Sequence, residues 1–141
     1  MPPLPLPVVQ FARRALAPGG AASREALCTS MQRHSGLLHA TIETLLGGSG
    51  ARILQSRALY LTARDHPWVA GIGTTHSGAL TGMEEALTQE SSEAVLTAFA
   101  EVLGHVVVLL TSFVGASLTM KVVQDSWPQL DVDDSFRRWA E

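Results

Sequence analysis

The sequence predicts an all-α protein, a single-domain bundle of four to five helices with a long apolar C-terminal helix. A mostly apolar set of residues recurs at alternating steps of four and three, which is the stripe of an amphipathic helix: Leu27, Met31, His34, Leu38, Thr41 and Leu45. Residues 92–127 then form one long and very apolar stretch that Pro128 ends. A chain of 141 residues is the size of one domain and is long enough to bury a core.

The first half of the chain contains signals for three helices. A short helix is predicted over residues 8–17, and Pro18-Gly19-Gly20 ends it. Ser23 is the predicted N-cap of the second helix, because its hydroxyl can accept a bond from a free backbone amide. This helix is expected to end at Gly47-Gly48, and Ser49 is expected to cap a third helix over about residues 50–65.

The segment from residue 68 to residue 82 is the least regular part of the sequence. Four glycines interrupt any helix there, and a loop is favoured over a hairpin, although residues 72–75 are compatible with a short strand. Thr81 and Glu84 have the spacing of a capping box, which predicts a short helix from about residue 83 to Gln89.

The long apolar stretch is predicted to begin at an N-cap on Ser91 or Ser92 and to run to about Trp127. Gly115 is a possible break that would divide it into two helices. Residues 102–120 carry no charge except a possible one on His105, and such a run is long enough to cross a bilayer. Polar side chains within the run and the lack of an aromatic belt favour a buried central helix, with a membrane span as the alternative.

Three regions follow from these signals. Residues 1–22 are interpreted as a proline-rich N-terminal tail and short helix, and residues 23–128 as the helical bundle domain. Residues 129–141 are interpreted as an acidic and aromatic tail in which Phe136 and Trp139 dock onto the domain. The sequence shows no internal repeat of useful length.

Composition excludes some functions and favours others. Charged residues make up 16% of the chain, apolar residues make up 46%, and the net charge is −3. No basic stripe is present to neutralise phosphates, so nucleic-acid binding is not expected. A single cysteine, Cys28, rules out an internal disulfide and fits a reducing compartment, and the prolines near the N-terminus do not fit a signal peptide. A cytoplasmic location is therefore expected.

Two groups of residues on the long apolar stretch are candidate functional residues. Glu101 and His105 lie four apart on one helix face, so the carboxylate can reach the imidazole as a buried polar pair. A second face holds small residues that would let another helix approach closely. Its members are Ala100, Gly104, Thr111 and Gly115.

The sequence contains no pattern that is specific for a cofactor, a metal or a catalytic centre. His34 and His39 lie five apart, which does not suit two metal ligands on one helix face. Some side chains of the middle segment have the residue types of a hydrolytic triad, but they lack a nucleophile elbow. They are Asp65, His66, His76 and Ser77. We therefore expect no cofactor, no metal and no enzymatic activity.

Two stretches resemble a group of uncharacterised small proteobacterial α-helical proteins. One runs from Gly48-Ser49-Gly50-Ala51 through Arg57-Ala58-Leu59-Tyr60-Leu61 to Pro67-Trp68, and the other from Leu109 through Gly115 and Leu118-Thr119 to Ser126-Trp127. The sequence departs from the pattern at Ala116, where an acidic residue is expected, and at Lys121, where Leu or Arg is expected. The resemblance implies a soluble bacterial α-helical domain and carries over no catalytic residue.

These observations favour a non-catalytic regulatory or adaptor protein that acts through contacts with a protein partner or with itself. Low surface charge, the face of small residues and the proline-rich tail are the reasons. Two alternatives remain open. One is a small membrane protein that spans the bilayer at about residues 102–120, and the other is a small-ligand sensor or enzyme that uses a buried Glu101/His105 pair.

Overall fold

The all-α class is confirmed by the computed structural model, which describes residues 3–140; Met1, Pro2 and Glu141, the ends of the two expected tails, lie outside the described residues. The helices are α1 Leu6–Leu16, α2 Arg24–Ala63, α3 Met83–Ala86, α4 Ser92–Val114, α5 Ala116–Ser126 and α6 Asp134–Ala140. A 3₁₀ helix, Pro67–Gly71, precedes an antiparallel hairpin of two-residue strands, β1 Gly73–Thr74 and β2 Leu80–Thr81, in which Gly73 faces Thr81.

Serine N-caps begin the two long helices, as the sequence predicts. The Ser23 hydroxyl accepts a hydrogen bond from the Ala26 amide at 3.1 Å, and the Ser91 hydroxyl accepts one from the Ala94 amide at 3.1 Å. Each bond satisfies an amide that the first turn leaves without a helical partner. A glutamate also lies in the first turn of each helix, where the helix dipole favours negative charge.

Both long helices break at a glycine with positive φ. Gly47 interrupts α2 with φ 80° and ψ 168°, and Gly115 separates α4 from α5 with φ 85° and ψ 172°. The predicted break at Gly115 is confirmed. The predicted N-cap at Ser49 is wrong, because helical geometry resumes directly after Gly47 and places Ser49 inside the helix.

The chain contains an internal structural repeat, although its sequence shows no internal repeat of useful length. Ser23 precedes Gly47 by 24 residues, and Ser91 precedes Gly115 by the same 24 residues. Every buried residue from position 27 to position 59 has a buried counterpart 68 positions later. The repeat is hidden because chemistry differs at paired positions, so that a buried His34 corresponds to a buried Val102. The two units, residues 23–59 and 91–127, share the N-cap, the glycine break and the pattern of burial.

In each unit, the helix that follows the glycine break packs against the long first helix of the other unit. These second helices are the part of α2 after Gly47 and α5. The Trp127 indole, at the end of α5, donates to His34 Nδ1 of α2 at 2.6 Å, and Ser126 donates to the Thr41 hydroxyl at 3.3 Å. In the opposite direction, the end of α2 packs beside α4, where His66 and Glu101 form a hydrogen bond. Each first helix therefore contacts the second helix of the other unit, and the core forms between them.

The connection between the units is a small hairpin rather than the expected loop. The side-chain amide of Gln32 in α2 forms two hydrogen bonds with the backbone of this hairpin. Its Nε2 atom donates to the Leu80 carbonyl at 2.6 Å, and its Oε1 atom accepts from the Leu80 backbone amide at 3.0 Å. The predicted capping box is also wrong: Gly82 is the N-cap of α3, and no side chain caps the helix. Gly82 has φ 76°, and a Cβ there would lie 2.5 Å from the Gly71 carbonyl oxygen.

Both ends of the described chain contribute to the core. Phe11 of α1 and Phe136 of α6 are buried, and their ring centroids lie 5.2 Å apart in an edge-to-face arrangement. The Phe11 ring also meets Trp127 at 5.4 Å. The predicted docking of Phe136 and Trp139 is confirmed, with Trp139 partly buried against the core. Helix α1 begins at Leu6 and takes Pro7 into its first turn, where the missing amide is not needed.

Helix α4 is the central helix of the fold. Among the described residues it is the one helix long and apolar enough to cross a membrane, with a mean hydropathy of 2.0 in its most apolar window. In this fold 67% of that window is buried by the other helices, chiefly α1 and α2. A buried α4 positions Glu101, Gly104 and His105 against these neighbours.

Candidate functional site

A polar cavity of about 180 Å³ lies between the end of α2, the start of the described chain and the middle of α4. Its lining combines charged side chains at the mouth with apolar walls. The lining residues are Pro3, Leu4, Leu61, Arg64, Asp65, Glu101 and His105. The structure thus places both residues of the predicted polar pair in one cavity.

Glu101 does not bond to His105 within α4, although the two lie on the same helix face. Its carboxylate forms a hydrogen bond with the Nε2 atom of His66, a residue that lies just after the end of α2. About a fifth of each of these two side chains is exposed. This contact joins α4 to the end of α2 and leaves the His105 ring available for other interactions.

His105 is only 6% exposed, and its Nδ1 atom is buried without a hydrogen-bond partner among residues 3–140. Burial lowers the pKa of His105, and the nearby Asp65 carboxylate opposes that effect in part. The imidazole is therefore neutral at physiological pH. A buried polar atom without a partner is costly in a folded protein, which makes this ring the most unusual group of the cavity.

The chemistry available in the cavity is ionic and acid–base chemistry. Arg64 and Asp65 are exposed at its mouth, and the lining residues include no alcohol, thiol or amine nucleophile. No group of three His, Cys, Asp or Glu side chains among residues 3–140 is arranged to hold a metal ion. The geometry suits the recognition of a small polar molecule better than a covalent reaction.

The small residues predicted to form one contact face have different roles in the structure: some pack against neighbouring segments, and Gly115 forms a helix break. Ala100 is fully buried, and a Cβ added to Gly104 would lie 3.2 Å from a Leu4 methyl group, so Gly104 lets the start of the chain approach α4 closely. Thr111 donates to the Val107 carbonyl of its own helix at 2.8 Å. Gly115 has no atom within 4 Å of an added Cβ and forms the break described above.

The four side chains that have the residue types of a hydrolytic triad do not lie in one site. Asp65 and His66 lie by the cavity, but His76 contacts Arg52 at 3.5 Å and Ser77 contacts the Thr75 hydroxyl at 3.1 Å. A triad needs its nucleophile within hydrogen-bond reach of its base.

The two histidines of α2 are buried, and His39 Nε2 lies 3.3 Å from a carboxylate oxygen of Glu43. Burial and the neighbouring Arg33 lower the pKa of His34, which accepts the Trp127 indole bond, while a hydrogen bond to the Ala15 backbone opposes this shift. His39 is buried under the hairpin, and its ring prevents any side chain at Gly78. Neither histidine faces the polar cavity.

A second candidate surface lies on the outer side of α2 after Gly47, and we call it the Ile53–Tyr60 face. It surrounds an open groove of about 550 Å³. The residues of this face are Ser49, Arg52, Ile53, Ser56, Arg57 and Tyr60. Ile53 is 66% exposed and Tyr60 is 60% exposed, and the Arg57 guanidinium lies 5.3 Å from the centre of the Tyr60 ring. Two large apolar side chains seven residues apart thus share one exposed helix face.

The repeat supplies an internal comparison for this face. Lys121 of α5 is the counterpart of Ile53, and Asp125 is the counterpart of Arg57. Lys121 and Asp125 form an exposed ion pair at 3.5 Å, one helical turn apart. At these two positions α5 presents an ion pair, with Leu118 42% exposed one turn earlier, whereas the equivalent α2 positions combine an apolar and a cationic group.

Sequence reasoning missed both His66 as the partner of Glu101 and the Ile53–Tyr60 face. The first is a contact across 35 positions of sequence, which helical periodicity does not reveal. For the second, the helical pattern predicts Ile53 and Tyr60 on the buried side together with Leu54, Ala58 and Leu61, and this is wrong, because the structure exposes both side chains. Comparison of the chain with protein-family models, curated proteins and solved structures finds no match.

Proposed function

We propose that this chain is a cytoplasmic, non-catalytic regulatory or adaptor protein that binds a protein partner through the Ile53–Tyr60 face. The observation that carries the proposal is the difference between two equivalent surfaces of one repeat. Where α5 exposes the Lys121–Asp125 ion pair, α2 exposes Ile53 and Arg57. A solvated helix gains nothing from an exposed isoleucine and tyrosine, whereas tyrosine and arginine are enriched among the residues that dominate binding energy at interfaces.

The charge of the face indicates the chemistry of the partner. The face contains Arg52 and Arg57, and residues 44–64 contain no acidic residue. Neither guanidinium group is ion-paired with a carboxylate of the described residues. An acidic, amphipathic segment of a partner protein would match this surface, with apolar side chains against Ile53 and Tyr60 and carboxylates against the arginines.

Two further observations support an intracellular binding protein. The single cysteine, Cys28, is a free thiol, which fits a reducing compartment. The resemblance to small proteobacterial α-helical proteins is part of the same proposal and supports a soluble bacterial domain.

Site-specific photocross-linking in the host cell tests the proposal. A photoreactive amino acid replaces Ile53 in one variant and Lys121 in the control variant, which probes the equivalent position of the other unit. We expect a discrete cross-linked product from position 53 and none from position 121. Adding Arg57→Glu to the position-53 variant should remove the product, because the charge reversal repels an acidic partner.

Binding to lipid is the outcome that would replace this proposal. The purified protein is mixed with vesicles of anionic phosphatidylglycerol and sedimented. If the wild-type chain sediments with the vesicles, Ile53→Asp abolishes this, and no protein cross-link forms at position 53, then the face is a membrane-surface site and the proposal is wrong. Equal cross-linking from positions 53 and 121 would also contradict it.

A further inference from the structure

We propose that the polar cavity between α2 and α4 binds a small aliphatic zwitterion, a molecule with one carboxylate and one ammonium group that is the size of a free amino acid. This site is separate from the Ile53–Tyr60 face and does not depend on the function proposed for that face. The charges at the mouth of the cavity, its buried floor and its size favour this class of ligand.

Opposite charges stand at the mouth without neutralising each other. Arg64 and Asp65 are adjacent in the chain and both line the cavity, yet they form no ion pair with each other. Glu101 is already paired with His66, so Asp65 is the carboxylate left to receive a cationic group. Arg64 can bind a carboxylate through two parallel N–H donors, and Asp65 can accept from an ammonium group.

The floor of the cavity provides a neutral polar group. The His105 ring is more than nine-tenths buried, and its Nδ1 atom has no hydrogen-bond partner among the described residues. Asp65 is the charged group that acts on this ring. A polar ligand in the cavity would lie between Asp65 and the imidazole, where a hydrogen-bonding group is otherwise unused.

The volume of the cavity and its apolar walls indicate a small ligand with a short aliphatic chain. A volume of about 180 Å³ is below the roughly 300–1,000 Å³ of pockets that hold drug-sized ligands. It is also far larger than the roughly 30 Å³ share of one water molecule. Leu4 and Leu61 form apolar parts of the wall, which suits a short aliphatic carbon chain. A small zwitterion with such a chain matches the charges, the walls and the volume together.

Thermal-shift measurements on the purified full chain, followed by calorimetric titration, test this site. The probes are the individual proteinogenic amino acids and γ-aminobutyrate, with acetate and methylamine as analogues that carry only one of the two charges. We expect saturable binding of one or more small aliphatic zwitterions. Arg64→Gln and Asp65→Asn should each weaken it about tenfold or more, and the matched controls Arg57→Gln and Asp125→Asn should bind like the wild type. All four side chains are exposed, so these variants are expected to fold.

The His105 ring gives an independent readout, because a ligand in the cavity should shift its imidazole NMR signals but leave those of His76 unchanged. The inference is overturned if no zwitterion binds at millimolar concentration. It is also overturned if acetate or methylamine alone binds as well as the zwitterion, or if Arg64→Gln and Arg57→Gln bind equally. None of these outcomes bears on cross-linking at Ile53.

Discussion

Gly47 and Gly115 adopt nearly the same backbone conformation, with φ of 80° and 85° and ψ of 168° and 172°, at equivalent points of two units in one chain. Each follows a serine N-cap by 24 residues and is followed directly by a second helix. Only glycine enters this region of backbone space without strain. The two glycines therefore set where each long helix turns to pack against the other unit.

Replacing either glycine by alanine should destabilise the fold. Neither Gly47 nor Gly115 has an atom within 4 Å of an added Cβ, so the cost comes from backbone strain of about 1–3 kcal/mol. Urea unfolding followed by circular dichroism measures the change. Gly36→Ala is the control, because Gly36 is helical and also has free space; it should stabilise the protein by about 0.4–1 kcal/mol. Equal effects at all three positions would show that backbone conformation is not the cause.

Acidification should destabilise the protein through His34 and His105. Burial lowers the pKa of both below 6.5, the value of an exposed imidazole, so the unfolded chain binds more protons in the window between the folded pKa and 6.5. The free energy of unfolding is then highest above 6.5 and falls as the pH decreases below it, by up to about 1.4 kcal/mol per pH unit for each group.

Urea unfolding between about pH 7.5 and pH 5.5 measures this slope, in a range that lies above the titration of most carboxylates. The variants His34→Gln and His105→Gln should each flatten it. A free energy of unfolding that stays constant or rises as the pH falls would contradict the assignment of both rings as neutral.

The Trp127–His34 hydrogen bond predicts a further effect on stability. Trp127→Phe removes the indole donor and leaves the buried Nδ1 of His34 without it, which should cost about 1–3 kcal/mol. Because the donor favours the neutral ring, its loss should also raise the pKa of His34 and reduce the dependence of stability on pH. Trp139→Phe is the control, since Trp139 is only partly buried. A pH dependence unchanged in Trp127→Phe would count against this role of the bond.

The last helix should be part of the cooperative fold. Phe136 is fully buried and packs edge-to-face against Phe11, so Phe136→Ala should destabilise the protein by about 3–5 kcal/mol. Trp139→Ala should cost less, because Trp139 keeps part of its surface in water. Thermal unfolding followed by near-ultraviolet circular dichroism measures both. A negligible effect of Phe136→Ala would mean that α6 does not contribute to the stable core.

The sequence was sufficient for features that depend on local chemistry. Serine hydroxyls predicted the caps at Ser23 and Ser91, and the low helix propensity of glycine predicted the break at Gly115. The repeat was not visible, because burial tolerates the replacement of Met31 by Phe99 at equivalent positions. Equivalent positions of the two units are buried to a similar extent even where their residue types differ.

Long-range contacts set the limit of prediction for the candidate sites. The partner of Glu101 is His66, although the helix spacing favoured His105, because the end of α2 brings another imidazole to the same carboxylate. The hairpin was also missed: two-residue strands carry almost no periodic signal, and the side chain of Gln32 supplies much of the pairing. Such contacts depend on how helices cross, which single-chain periodicity does not encode.

The proposed function depends on the Ile53–Tyr60 face as a docking surface for an acidic partner. Once the partner cross-linked at position 53 is identified, its dissociation constant is measured for two single charge reversals at equivalent positions of the repeat. Arg57→Glu should weaken binding about tenfold or more, and Asp125→Arg should leave it unchanged, since only the first lies on the proposed face. Equal affinities of Arg57→Glu and the wild type, or equal losses in both variants, would contradict the proposed function.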